Sequence, residues 1–342
     1  MEEKKSRKKM IVSAVLFPLI AGAMLYLIFR SCDIGEVWHV AASANGWDLL
    51  PAVAAMCGFI LCESTNIARV LRASGYRVSP GQMLTYGAAG FFFSGITPSS
   101  SGGQPMQLLY MSRDRVRLSY GSLALLVELL GFQTANVSLA LFGVAFNLSE
   151  IRALSGTVRA VIAVGLSANA VIFLLLLLLI FRACVSAAIG RGLTRLCRAL
   201  KKKNAAERIG EQLREYRAGA VYLREHPGLL WKNVATSLVQ MTAIDSVPFF
   251  VYRALGGTSV GWTKIFSLQA VVTAATAVIP LPGAVGAGES GFRLMFAPVF
   301  PRELLMPGML LSRGISFYLG LLITGIFLLV VYLRRKAGEH RT

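Results

Sequence analysis

Six ionisable residues stand inside apolar stretches of this chain: Glu63, Glu128, Asp245, Glu289, Arg293 and Arg313. A charge at membrane depth is costly, faces the bundle interior or a wet cavity, and marks a path for ions, protons or charged headgroups. Four acids against two arginines also permit internal ion pairs, such as Glu128 or Glu289 with Arg313, that serve the structure alone.

Two further clusters have chemistry in their backbone and hydroxyls. The run Thr97, Pro98, Ser99, Ser100, Ser101, Gly102, Gly103 and Gln104 precedes a short apolar segment. Hydroxyls and backbone N–H groups before a helix suit an anion, and for an amphiphile that anion is a lipid phosphate. The same small residues also make a tight tip that packs closely on its neighbours. The second cluster holds Pro280, Pro282, Gly283, Gly286, Gly288 and Glu289. Its GAVGAGESG is no dinucleotide fingerprint, because it follows a long helical run and Pro-Leu-Pro in place of a strand.

Other chemistries find no support. His39, His226 and His340 lie outside the apolar segments and far apart, and the five cysteines lack metal-ligand spacing. No metal, cofactor or catalytic constellation is expected.

The elements that hold these residues follow from hydropathy. Of 342 residues, 55% are hydrophobic and 15% charged, with a mean hydropathy of +0.61, which indicates an all-α polytopic membrane protein. Apolar segments cover 11–29, 48–68, 81–111, 119–147, 159–181, 229–252, 263–297 and 306–333. The first follows the basic start MEEKKSRKKM, is too long for a cleaved leader, and reads as a retained signal-anchor. The net charge of +18 flanks these segments and comes with no nucleic-acid motif, so no nucleic-acid partner is expected.

Segments 81–111 and 263–297 are broken by Pro, Ser and Gly, so each is a helix, a non-helical tip and a second short helix. Charge bias decides between crossing and returning. With both as re-entrant hairpins and the other six segments as full spans, 27 of 35 basic residues fall on the cytoplasmic side with both termini. Residues 182–228 then form an amphipathic basic linker that contacts anionic lipid at that face.

Pro280 follows Pro98 by 182 residues, and Asp245 follows Glu63 by the same 182. Residues 47–148 and 229–333 share the order span, hairpin, span but start on opposite sides, which predicts an inverted-topology repeat within one membrane domain spanning 1–342.

The tip Thr97 to Pro105, with Pro280-Leu281-Pro282-Gly283-Ala284-Val285-Gly286-Ala287-Gly288-Glu289 far downstream, resembles the flippase-like transmembrane domain of lysylphosphatidylglycerol synthases. Arg69, Arg72, Glu128 and Arg313 also fall where that pattern has such residues. Two departures stand out: the family usually has Gly-Gly at Gly283-Ala284, and Arg where this chain has Leu129. The resemblance implies a translocator in a bacterial cytoplasmic membrane whose cargo is a phospholipid, anionic or zwitterionic, or an aminoacylated phospholipid. The hairpin tips would then meet and line the headgroup path. Synthase activity is not expected from the short stretch after the last apolar segment. A secondary transporter of a small solute, using the same hairpins, is the alternative; an intramembrane lipid-modifying enzyme is a more distant one. Oligomeric state is not encoded in any of these features.

Overall fold

The computed structural model describes residues 42, 44–97, 100–182, 188, 221, 225–277, 279 and 281–339. The expected first span at 11–29, most of the 182–228 linker, and Pro98, Ser99 and Pro280 lie outside the described residues.

Local sequence starts and stops the helices. Asn45 caps α1 (Gly46–Ala73) by accepting the Trp47 N–H. Gly75, at φ 91°, ends the same helix, and the Tyr76 N–H returns to the Leu71 carbonyl, a left-handed cap that glycine adopts without strain. Ser79 and Gln82 form a reciprocal capping box that starts α2 (Pro80–Ile96). A tip follows, then α3 (Gly103–Arg113) and α4 (Leu118–Phe146), the short α5 (Leu148–Ala153), and α6 (Gly156–Phe181).

The order then recurs. Helices α7 (Pro227–Asp245) and α8 (Val247–Ala254) make one span with a break at Ser246, and Gly256, at φ 85°, closes it as Gly75 closes α1. Next come α9 (Trp262–Thr276), a 3-10 turn at Pro282–Ala284, and α10 (Ala287–Phe296). The last span runs through α11 (Arg302–Arg313), a π-helical segment at Gly314–Leu319, and α12 (Gly320–Glu339). Gly46–Ala73 and Pro227–Ala254 are each 28 residues long, and α2, α3 and α4 are followed about 180 residues downstream by α9, α10 and the α11–α12 span, whereas α5 and α6 have no such counterpart.

Five helical stretches among the described residues are long and apolar enough to cross a bilayer: Gly46–Ala73, Leu118–Phe146, Gly156–Leu178, Pro227–Ala254 and Arg302–Lys336. They coincide with five of the six expected spans, and the chain is an all-α polytopic membrane protein. Both broken segments fold back on themselves. In the first, Gly103 abuts Ser94 and Gly90, Gln107 reaches the Tyr86 carbonyl, and the Tyr86 hydroxyl donates to Asp114 at the base. In the second, Gly291 packs on Val272 and Thr276, and Phe292, Met295 and Phe296 share a core with Ile265 and Leu268.

The contacts also define two ends. At one, Asp114 after α3 accepts from Arg335 of α12, and the Arg117 N–H donates to Tyr76 after α1. At the other, the Asn45 N–H meets the Ala254 carbonyl and Lys264 pairs with Glu150. The base of the first hairpin lies at the former end, that of the second at the latter.

Two features of the spans are not visible in their hydropathy. The sixth apolar segment is interrupted at Ser246, where the hydroxyl bonds back to the Thr242 carbonyl and accepts from the Trp262 indole. The eighth carries the π segment, where i→i+5 hydrogen bonding widens the helix.

Candidate functional site

The two hairpin tips meet, since the 282–284 turn packs against α2. Phe317 of the π segment is wedged between them. A Cβ on Gly95 would come 3.3 Å from its ring, and one on Gly283 would overlap it at 2.0 Å. Gly283 also sits at φ 57°, so both backbone and space require glycine there.

Arg313, last residue of α11, ties this junction. Its Nε donates to Glu289 Oε1 at 3.0 Å, a terminal nitrogen donates to the Gly283 carbonyl at 2.8 Å, and the guanidinium lies 4.8 Å from the Phe317 ring centre. The other carboxylate oxygen of Glu289 accepts the Gly286 N–H. Of the two acids weighed as partners for Arg313, Glu289 is the one it meets. Gly288 packs on the same guanidinium, and Pro282 opens the 3-10 turn.

The first tip is partly self-satisfied. Thr97 Oγ1 accepts the Gly102 N–H at 2.9 Å and donates to the Phe93 carbonyl, while the Ser100 N–H returns to the Thr97 carbonyl. Ser100, at φ 54°, Ser101 and Gln104 are exposed, and Gly103 is packed against α2. Ala284, at φ 50°, occupies a backbone conformation that suits the glycine usual at that position in the resembling family.

The remaining acids lie on α1, α4 and α7. Glu63 on α1 accepts from Gln107 Nε2 at 2.8 Å, and Gly90 lets the two approach. Glu128 on α4 is 7% exposed and close enough to Glu63 for their charges to interact. Neither has a basic partner among the described residues. Asp245 accepts the Thr273 hydroxyl at 2.7 Å, and Thr273 accepts from Gln269. Each of Glu63 and Asp245 is thus held by an arm of the neighbouring hairpin. Arg293 is exposed on α10.

Several amide side chains escaped the sequence reading because it followed charge. Arg69 donates to Asn66, Asn233 and Thr236, and Asn66 donates to Ser237, which seams α1 to α7. Asn169 on α6 accepts from Gln133 and Asn136 and donates to the Ala274 carbonyl. Gln240 is fully buried with both amide atoms unpartnered among the described residues. A count of amide side chains in apolar helices would have flagged these asparagines and glutamines, because amides join helices in membranes. Among the described residues no cluster of metal-ligating side chains forms.

Residues 10–324 match the family model described as the lysylphosphatidylglycerol synthase TM region. The chain is also 24% identical over 295 residues to a UPF0104 membrane protein of Archaeoglobus fulgidus, across 84% of this chain and 87% of that protein.

Proposed function

Because the chain belongs to the lysylphosphatidylglycerol synthase TM-region family, we propose that it is a lipid translocator that moves the headgroup of an anionic or zwitterionic phospholipid, or of an aminoacylated one, between leaflets. The observation that carries this reading is the junction itself, where two polar, glycine-rich tips from hairpins based at opposite ends meet over Phe317 and Arg313. Discontinuous helices that end inside a bundle put polar backbone at membrane depth, where it can replace the water around a headgroup. The acyl chains stay in lipid throughout, so only the headgroup needs a polar path.

In this reading, residues 47–148 and 229–333 are inverted-topology repeats, and the end that carries Arg72, Arg77, Arg113, Arg115, Arg117 and Arg335 faces the cytoplasm of a bacterial cell. Ser100 to Gln104 and Pro282 to Glu289 line the path. Glu63, Glu128 and Asp245 receive protons or cationic parts of the headgroup, and Arg313 exchanges Glu289 for phosphate as the tips part. No bond-making step is assigned.

The test is a leaflet assay in reconstituted vesicles with labelled phosphatidylglycerol, phosphatidylethanolamine and lysyl-phosphatidylglycerol, comparing the native chain with Arg313→Ala and Glu289→Gln. The expected result is transport of at least one lipid by the native chain and its loss in both variants. Equal movement in native, variant and protein-free vesicles for all three lipids removes the proposal; uptake of a water-soluble solute in its place supports the small-solute alternative.

A further inference from the structure

We propose that the corner between α1 and α2 is a docking site for the phosphate of an anionic phospholipid in the leaflet at that end of the bundle. An open groove of about 460 Å³ is lined there by Arg72, Tyr76, Arg77, Val78, Ser79 and Gln82. It lies where the 28-residue span Gly46–Ala73 ends. A hydrocarbon layer takes about 20 helical residues, so this corner sits at headgroup depth.

The chemistry of the lining is one-sided. In the capping box, Ser79 Oγ accepts the Gln82 N–H and Gln82 Oε1 accepts the Ser79 N–H. Both side chains therefore use acceptors on the helix and keep their donors, the Ser79 O–H and the Gln82 NH₂, for the groove. Arg72 spends one terminal nitrogen on the Val78 carbonyl at 2.8 Å, a neutral acceptor that fixes the side chain and leaves its charge uncompensated. Arg77 is exposed.

No carboxylate lines the groove. The adjoining corner, joined to this one through Tyr76 and Arg117, adds Arg113 and Arg115, and its acid Asp114 is already held by Tyr86 and Arg335. Two guanidinium groups with neutral donors beside them and no carboxylate in the lining match phosphate oxygens, which only accept. The neighbouring bilayer supplies that group at this depth, and basic residues at an anionic surface attract it. The site does not depend on the translocation reading, since a lipid can dock here without being cargo.

The test is lipid retention on the full chain in detergent, read by native mass spectrometry with added phosphatidylglycerol, phosphatidylcholine or inorganic phosphate alone. The native chain is expected to hold phosphatidylglycerol in preference to phosphatidylcholine. The Arg72→Gln/Arg77→Gln double variant is expected to bind phosphatidylglycerol about tenfold more weakly, in keeping with the loss of two basic contacts. Arg77→Glu, at a side chain with no structural bond, is the folding-safe variant and should weaken binding as well while leaving the melting temperature unchanged. The Arg334→Gln/Lys336→Gln variant, which removes the same charge at the same end but outside the groove, should bind as the native chain does. Native-like binding by Arg77→Glu, or an equal loss in Arg334→Gln/Lys336→Gln, overturns the site. Phosphate alone bound as tightly as the lipid overturns the lipid assignment. Loss of binding with intact leaflet transport, or the reverse, separates this proposal from the previous one.

Discussion

Arg313 and Glu289 meet at 3.0 Å where the π segment touches the second hairpin, and each also holds the backbone of that hairpin's tip. The pair thus shapes a non-helical turn as well as balancing charge. Both side chains are about one-fifth exposed, so solvent screens them only in part. Arg313→Ala leaves the Gly283 carbonyl and one Glu289 oxygen without partners, and should cost about 2 kcal/mol. In a double-mutant cycle with Glu289→Gln, thermal melting should reveal coupling of about 1 kcal/mol or more. Strictly additive losses would show that the pair does not act together.

Phe317 and Gly283 are matched in shape. Gly283→Ala puts a methyl into the Phe317 ring and forces an alanine into a left-handed conformation. A loss of about 2–3 kcal/mol is expected. Adding Phe317→Leu should recover part of it, since the smaller side chain removes the overlap and leaves the backbone strain. A double variant no more stable than Gly283→Ala would argue against this contact.

Gln107 donates a hydrogen bond to Glu63 within the bundle at 2.8 Å. Gln107→Leu should destabilise the chain by about 2 kcal/mol because a buried polar oxygen loses its donor. Glu63→Leu with Gln107→Leu should cost less than the sum of the singles, as neither polar group is then stranded. A sum equal to the two parts in chemical unfolding contradicts the bond.

Glu150 lies between α4 and α6, outside the spans, where hydrogen bonds from Lys264 and then Ser149 hold its carboxyl down at about 2. A depressed folded-state value means that the stabilising contribution is present above the unfolded carboxyl range, near 4.3, and fades as pH falls toward about 2. Solvent exposure keeps it small, below about 1 kcal/mol. Hydrogen exchange of the amides in Leu148–Ala153 should therefore be faster in Glu150→Gln than in the native chain at pH 6, and the difference should vanish near pH 2. A difference that persists unchanged at pH 2 would assign it to another cause.

Much of the element order could be read from the chain. The hairpin arms begin and end within a few residues of 81–111 and 263–297, because Pro and Gly interrupt a helix locally and a bilayer-length apolar run can take few forms. Glu63 and Asp245, legible in the sequence as acids within apolar segments, are each held by a neighbouring hairpin. Their partners, Gln107 and Thr273, were not legible, since nothing in the local sequence distinguishes them from other polar residues of those helices.

Composition, apolar run length and helix-breaking residues are properties of the chain taken alone, and they determined an all-α membrane protein with two broken segments and a basic end. Which side of each helix faces inward is different. A span that is apolar all round carries little periodic signal of its buried face, so rotation about its axis is set by packing. That packing put Arg313 on Glu289 and not on Glu128, turned Arg293 outward, and wedged Phe317 between tips separated by just over half the chain.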